Sequence, residues 1–577
     1  MKKAGFKKAA AVVFSLIAAS AILNVPNSVS AETTDVTISV NSDKTVRKIS
    51  PYIYGVNSGV DLTQVKAGSF RLGGNRMSAY NWENNMSNAG SDYKNLSDMY
   101  LVQNAAQEFR TVPGGAALDA SKSAADNNVP YTLLTLQMLG YVSSSKRGSV
   151  TENNAAPSDY WKKVVNRKNG ELSLTPDKKD DSVYMDEYLN YLFDKVGKSD
   201  SETGFKAYAL DNEPSLWKGT HSMVQHGELT CSELIAKSTD LASLVKDMDS
   251  GAEVFGPSLF GYAAFDSFTN PSDWQQLKSD NNYRWFIDYY LDAMKKESDA
   301  QGRRLLDVLD LHFYTEAKGA CGERSCSHYD NDDCIRARLD STRSLYDPDY
   351  HENSWITDTG AEFFPLLPNL QQSIDTYYPE TKLAFTEYNF GGGDHISGGV
   401  AQADMLGIFA EYGVYFASIW SFDPYNIYQL SAINMFTDYD GQGSSFGDTL
   451  VESLSSDRNT VSVYSAVDSD NDDGKLKIIA VNKSINDDTT IKISLTGEKK
   501  FSSAKVYSLY GDTTDIRRLD DVEKISDNEF SYTLPALSVT EFVVEKQKSG
   551  SKAIAAAAAA AVIIAAAAVA AVKIKKR

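Results

Sequence analysis

The 577-residue sequence holds only four cysteines, Cys231, Cys321, Cys326 and Cys334, and no CxxC pair among them. The spacing that usually signals a zinc site is therefore absent. Three of the four crowd one short loop, where one bracing disulfide is expected in an oxidising compartment, although four cysteines allow three full pairings. A basic excess is lacking too. The formal net charge is −20, and because residues 1–31 and 553–577 each carry four basic and no acidic side chains, residues 32–552 carry −28. Such a body shows no evident footprint for nucleic acid, which would want a basic face, so no nucleic-acid partner is expected. No Gly-rich phosphate turn follows the first predicted strand, which weighs against a doubly wound nucleotide-binding sheet. No compact calcium loop is present either; the acidic stretch 468–473 lacks a full ligand pattern and reads as a solvated turn.

The two ends read as addresses rather than fold. Lys2, Lys3, Lys7 and Lys8 precede the apolar run Ala9–Val25, and Val29-Ser30-Ala31 suits signal peptidase, so residues 1–31 are expected to be a signal peptide. Ala553–Val572 is twenty uncharged residues, fourteen of them Ala, followed by Lys573-Ile574-Lys575-Lys576-Arg577. As a helix it is about 30 Å long, enough to cross a bilayer with the basic tail inside. The expectation is an extracellular protein held at the cell surface by a C-terminal anchor, with 546–552 as linker; a soluble helix or low-complexity tail is the alternative for so Ala-rich a segment.

Between the ends, short apolar runs rich in β-branched and aromatic residues recur at Tyr52–Asn57, Ser69–Asn75, Tyr131–Gln137, Phe205–Asp211, Ala252–Ser258, Asp307–Phe313, Leu383–Tyr388 and Tyr415–Ser421. Amphipathic segments separate most of them: Ser97–Phe109, Ser182–Val196, Ser232–Met248, Tyr283–Glu297 and Val400–Tyr412. Eight strands alternating with helices predict an α/β fold, a (β/α)8 TIM barrel over 51–440. Beyond about residue 440 six strand-like segments follow with polar turns and no helix between them, predicting a β-sandwich over 441–545. The alternating segment 36–46, within 32–50, is expected to join that sandwich and make it discontinuous.

In such a barrel, reactive groups sit where strands end. Strand four ends in Leu210-Asp-Asn-Glu-Pro214 and strand seven in Phe385-Thr-Glu-Tyr-Asn389, each placing a carboxylate at the barrel mouth. Glu213 and Glu387 therefore form a candidate pair, one protonated to assist a leaving oxygen and one ionised to attack an anomeric carbon. Like charges close together favour one retained proton.

The neighbouring residues sharpen this. Arg71-Leu-Gly-Gly-Asn75, Asn81-Trp-Glu-Asn-Asn85, Leu210-Asp-Asn-Glu-Pro214, Asp310-Leu-His312, Thr342-Arg-Ser-Leu345, Ser354-Trp-Ile356, Thr386-Glu-Tyr388, Ser397-Gly-Gly-Val-Ala-Gln-Ala-Asp404 and Asp440-Gly-Gln-Gly443 together resemble glycoside hydrolase family 44. The resemblance implies an endo-acting, retaining β-1,4-glucanase or xyloglucanase, with Glu213 as acid/base and Glu387 as nucleophile. Its partner would be β-glucan polysaccharide, no cofactor would be required, and a structural calcium of unassigned ligands would be compatible. A monomer is expected. Asn212 is placed to bond the sugar 2-hydroxyl, Arg71 to hold Glu387 ionised, and His312 and Tyr314 to orient nucleophile or sugar. Trp420, Trp82, Trp217 and Trp355 are candidate sugar platforms, core packing being the alternative for each. The Asn-rich loop 81–90 could bind hydroxyls or fold on itself through Asx turns. The loop 320–333, which follows strand six, departs from the family pattern. Two other readings are a non-catalytic polysaccharide-binding protein and another retaining glycosidase such as a mannanase.

Overall fold

The computed structural model describes residues 35–547 apart from 321, 325–329, 360–361, 422–425 and 470–474. The expected signal peptide and anchor, and most of the linker, lie outside the described residues. No helix among the described residues is long and apolar enough to cross a membrane.

Eight parallel strands close into a barrel: Gly55–Asn57, Ser69–Leu72, Thr132–Leu136, Ala207–Leu210, Glu253–Leu259, Val308–Tyr314, Lys382–Asn389 and Phe416–Ile419. Each coincides with one of the eight predicted segments. Strands buried on both faces must be apolar along their length, which is why short uninterrupted runs marked them. Every second residue points inward, and its chemistry changes along the strand. Leu133, Ala207, Ala209, Phe255, Val308, Ala384 and Phe416 form an apolar plug toward the N-terminal ends. Asp310 and His312 follow Val308 at two-residue steps, and Thr386 follows Ala384. The barrel is thus a dry core at one end and a polar constellation at the other.

Helices Met185–Val196, Cys231–Met248, Phe286–Gln301 and Ile396–Tyr412 match predicted segments. The Cys231–Met248 helix opens with a capping box between Thr230 and Glu233. The expected helix at 97–109 is absent: Leu96–Asp98 is a short strand and Tyr100–Val102 a 3₁₀ turn. The helix instead starts at Gly115 and runs to Asp126.

The remaining long strands make one nine-stranded sheet that wraps an apolar core containing Val36, Ile38, Val40, Ile478, Ile493, Val506 and Phe542, the β-sandwich. The first strand, Val36–Lys48, lies between Thr449–Ser455 (antiparallel) and Thr489–Thr496 (parallel), so the sandwich is discontinuous in sequence. We place the division between barrel and sandwich near residue 440, between helix Ile427–Thr437 and strand Thr449–Ser455.

Helix Ile396–Tyr412 lies between the two bodies, and every residue from Ile396 to Ala410 is buried. This accounts for the Ser397–Asp404 motif. Asp404 is fully buried in the interface, paired with Lys483 of the sandwich at 3.3 Å and accepting hydrogen bonds from Tyr464 (2.7 Å) and Thr342 (2.8 Å). Burial alone would raise its pKa, but Lys483 and the hydroxyl donors hold it below the usual carboxylate range.

Cys231 is a buried free thiol whose pKa burial pushes up. Cys334 is buried within hydrogen-bond reach of Asn331 (3.4 Å). Cys321 and Cys326 lie outside the described residues.

Candidate active site

Strand four ends in a sharp reversal. Asp211 has φ +64° and Glu213 φ +45°, left-handed conformations that cost a non-glycine residue about 1–3 kcal/mol each. The surroundings hold them. The buried Asp211 carboxylate accepts from the backbone N–H groups of Met138 (2.5 Å), Leu139 (2.8 Å) and Asn212 (2.8 Å). The Glu213 N–H donates to the Ser258 carbonyl at 3.0 Å, and the Trp217 indole donates to the Asn212 carbonyl at 2.8 Å. Burial pushes Asp211 up to about 6 despite these donors. The reversal delivers the Glu213 side chain into the barrel mouth.

Glu387 reaches the same place from strand seven. Arg71, fully buried, donates to Glu387 Oε1 at 2.8 Å, to Asn57 Oδ1 at 2.9 Å and to Asn212 Oδ1 at 2.8 Å. The Tyr314 hydroxyl donates to Glu387 Oε2 at 2.8 Å. His312 Nδ1 lies 2.9 Å from Glu213 Oε1 and 3.5 Å from Glu387 Oε2. An oxygen of each glutamate and a nitrogen of His312 all fall within 4.8 Å of one another.

The environments of the two glutamates differ in a way that separates their protonation. Burial alone would raise Glu387, but His312, Arg71 and the Tyr314 hydroxyl outweigh it and hold Glu387 below the ordinary carboxylate range. Glu213 is raised, first by burial and further by the Glu387 charge, with His312 only partly offsetting them. Burial works against a charged His312, yet the two carboxylates raise its pKa overall. One carboxyl inclined to keep its proton faces one inclined to lose it.

Both glutamates line a cleft of about 450 Å³. Its other walls come from the loops after strand two (Gly74, Asn75, Asp92), strand four (Asn212, Leu216), strand five (Phe260, Gly261, Tyr262), strand six (Tyr314, Glu316, Arg324, Trp355) and strand eight (Trp420).

Glu213, Glu387, Asn212, Arg71, His312 and Tyr314, chosen from the sequence, thus converge. The tryptophans divide. Trp420 and Trp355 line the cleft, and Trp355 is 40% exposed and edge-on to Tyr262 at 6.3 Å. Trp82 and Trp217 are fully buried and cannot face a sugar. Trp82 stacks on Tyr188 at 5.2 Å, and Trp217 braces the Asn212 carbonyl. The Asn-rich loop folds on itself: Asn81, Asn84 and Asn88 each accept from the backbone N–H two residues on, at 2.8–3.0 Å. Buried Glu83 is held by the Lys162 ammonium at 2.6 Å, and burial still pushes it up to about 7.

Among the described residues, Glu213, His312 and Glu387 are the one cluster of three acidic, histidine or cysteine side chains close enough to share a metal. Its imidazole nitrogen and the guanidinium already on Glu387 do not suit calcium, which seeks oxygen ligands. No ligand set for a structural calcium emerges among the described residues. Tyr262 and Asp92 had no sequence signal beyond an aromatic just past strand five and an acid in a long loop.

Trp82 and Trp355 offer a direct contrast. Trp82→Ala should cost about 3–5 kcal/mol of stability through the cavity it leaves. Trp355→Ala should leave the melting temperature nearly unchanged, as exposed positions do. It should instead raise KM for polymer roughly tenfold through lost ring contact. Thermal melts beside steady-state kinetics separate the two.

A TIM barrel presenting paired carboxylates at the ends of strands four and seven defines a glycoside hydrolase. Comparison with known proteins places it more closely. The sequence profile of glycoside hydrolase family 44 matches residues 86–317. Endoglucanase A of Paenibacillus lautus is 43% identical over 522 residues, spanning 90% of this chain and 74% of that protein. The crystal structure of a family 44 endoglucanase produced by Clostridium acetobutylium ATCC 824 superposes with TM-score 0.86 at 46% identity, over 89% of this chain and all of that one. A Paenibacillus polymyxa xyloglucanase of the family gives TM-score 0.86 at 42% identity over the same shares. This chain belongs to glycoside hydrolase family 44.

Proposed function

We propose that this chain is a retaining endo-β-1,4-glucanase acting on cellulose-type glucans, xyloglucan or both, with Glu387 as nucleophile and Glu213 as acid/base. The observation that carries the reading is the spacing of the pair: oxygens within 4.8 Å suit direct attack, whereas inverting enzymes hold their carboxyls about 6.5–9.5 Å apart to admit a water. Relatives named endoglucanase and xyloglucanase support the substrate class. A cleft walled by the loops after five of the eight strands, with Glu387 supplied by a sixth, suits a polymer lying across the barrel mouth.

In the first step a Glu387 oxygen bonds to the anomeric carbon while the glycosidic C–O bond breaks. The Glu213 proton moves to the departing oxygen. In the second, Glu213, now a carboxylate, takes a proton from water whose oxygen bonds to the same carbon, and Glu387 leaves as carboxylate. Arg71 and Tyr314 favour the ionised form of Glu387 at the start and end of the cycle. His312 supports Glu213 in the interval when it is charged. These side chains supply the acid, base and nucleophile without a cofactor. The segments 1–31 and 553–572 support secretion and retention at the cell surface.

The test is product analysis on carboxymethylcellulose, xyloglucan, mannan and xylan. Rapid viscosity loss with β-1,4-glucan oligosaccharides is expected. Cleavage confined to mannan or xylan contradicts the substrate assignment, and binding without cleavage contradicts the enzymatic one.

The protonation pattern sets the pH response. Activity requires Glu387 ionised and Glu213 protonated. kcat/KM should therefore rise with pH through a limb below the ordinary carboxylate range and fall through one above it, as a bell belonging to the coupled group. Arg71→Met removes a cation from Glu387 and should move the acidic limb upward, shown by kcat/KM profiles of both proteins.

A further inference from the structure

We propose that Asn75 is a positioning residue that fixes the orientation of the Asn212 amide, with Asp92 as its anchor. Through that amide it would govern the hydrogen bond offered to the 2-hydroxyl of the sugar under attack. The proposal rests on the roles given above to Glu213 and Glu387.

An asparagine amide presents an oxygen and an NH2 group of nearly equal size, so its orientation is set by its neighbours. Here the bonds run in one direction. Arg71 donates to Asn212 Oδ1 at 2.8 Å, Asn212 Nδ2 donates to Asn75 Oδ1 at 3.2 Å, and Asn75 Nδ2 donates to Asp92 Oδ2 at 2.8 Å. A cation begins the relay and a carboxylate ends it. Turning either amide over would set donor against donor at one junction and acceptor against acceptor at the other. The relay therefore holds one state, and each bond polarises the next. In that state Asn212 has spent its oxygen and one N–H inside the relay, and its other N–H remains for a ligand in the cleft that Asn212 lines.

The backbone before Asn75 is built to hold it there. A Cβ on Gly73 would strike the Arg71 guanidinium, and one on Gly74, at φ +89°, would lie 2.7 Å from the Trp420 ring. Asn75 thus follows two glycines wedged between the arginine that starts the relay and the tryptophan of the cleft wall. Asp92 is exposed and lines the cleft beside Asn75.

Charge rearrangement tests this. In Asn75→Asp, one oxygen can still accept from Asn212, but the other meets the Asp92 carboxylate. In Asp92→Asn alone, the new amide oxygen still accepts from Asn75. In the variant carrying both changes, the amide introduced at position 92 donates to the carboxylate introduced at position 75, and the relay to Asn212 is restored. The assay uses 2,4-dinitrophenyl β-cellotrioside and its analogue lacking the 2-hydroxyl on the ring joined to the aryl group. The expected results are a loss of roughly 10–100-fold in kcat/KM for Asn75→Asp, carried by kcat, and a change under about threefold for Asp92→Asn. The double variant should recover to within about fivefold of Asp92→Asn. On the 2-deoxy analogue Asn75→Asp should match wild type within about threefold, because the bond it disturbs is not made. Equal losses on both substrates, no rescue by the double variant, or normal kcat/KM in Asn75→Asp each overturn the proposal. Glu387→Gln, assayed alongside, keeps the failures apart. Full activity in it overturns the role assignment beneath the proposal, whereas an inactive Glu387→Gln beside a normal Asn75→Asp overturns the role of Asn75 alone.

Discussion

Glu387→Gln should lower glucan hydrolysis by at least about 10⁴-fold while leaving glucan binding in place. The amide is nearly isosteric and keeps an oxygen to accept from Arg71, so the cleft retains its shape. It has no carboxylate to form the glycosyl bond. The change also removes the charge partner of a fully buried guanidinium, and a broken buried pair costs about 3–5 kcal/mol. Arg71 keeps its bonds to Asn57 and Asn212, so a lowered melting temperature with a folded protein is expected. Binding to insoluble glucan, measured beside viscosity loss, separates lost chemistry from lost structure. Near wild-type hydrolysis would remove Glu387 from the mechanism.

Glu213→Ala should show a different pattern, because the acid matters only as much as the leaving group needs it. On polymeric glucan, with a poor alkoxide leaving group, the loss should be about 10²–10⁴-fold. On 2,4-dinitrophenyl cellotrioside the first step should be nearly unaffected, and a burst of dinitrophenol should precede slow turnover as glycosyl-enzyme accumulates. Azide needs no general base and should restore turnover, giving a β-glycosyl azide. Stopped-flow absorbance and product analysis read both effects. The left-handed backbone at Glu213 tolerates Ala no worse than Glu, so misfolding is not the expected cause. Equal losses on polymer and aryl glycoside would mean that Glu213 supports the site without donating a proton.

Much of this site is legible in the sequence because a parallel barrel writes its organisation locally. Each strand is an apolar run, and the residues at its C-terminal end or just past it face the mouth. Glu213 and Glu387 stand out that way, as do Arg71, His312 and Tyr314. Features decided by distant partners are not legible. Trp82 lies in a loop on the catalytic side, but Tyr188, from a helix about a hundred residues on, covers its face. The Gly115–Asp126 helix escapes notice because its buried face is mainly Ala, with only Leu118 as a large apolar side chain. The 97–109 segment carries that periodicity in part, yet its Tyr100 is exposed beneath Arg76, 4.4 Å from the ring. Strand Thr449–Ser455 is hidden because only its first three residues are buried. The Asn75–Asp92 contact joins two parts of one loop seventeen residues apart, and neither residue alone announces it.

The most direct test of the central claim is to trap the covalent intermediate. Incubation with 2,4-dinitrophenyl 2-deoxy-2-fluoro-β-cellotrioside slows both steps but leaves a good leaving group, so glycosyl-enzyme should persist long enough for digestion and mass spectrometry of the peptides. The account predicts one fluorosugar attached to the peptide holding Glu387, at that side chain, and none in Glu387→Gln. A label on another carboxylate, or an active enzyme that takes up no label and releases α-configured products from natural glucan, would contradict it.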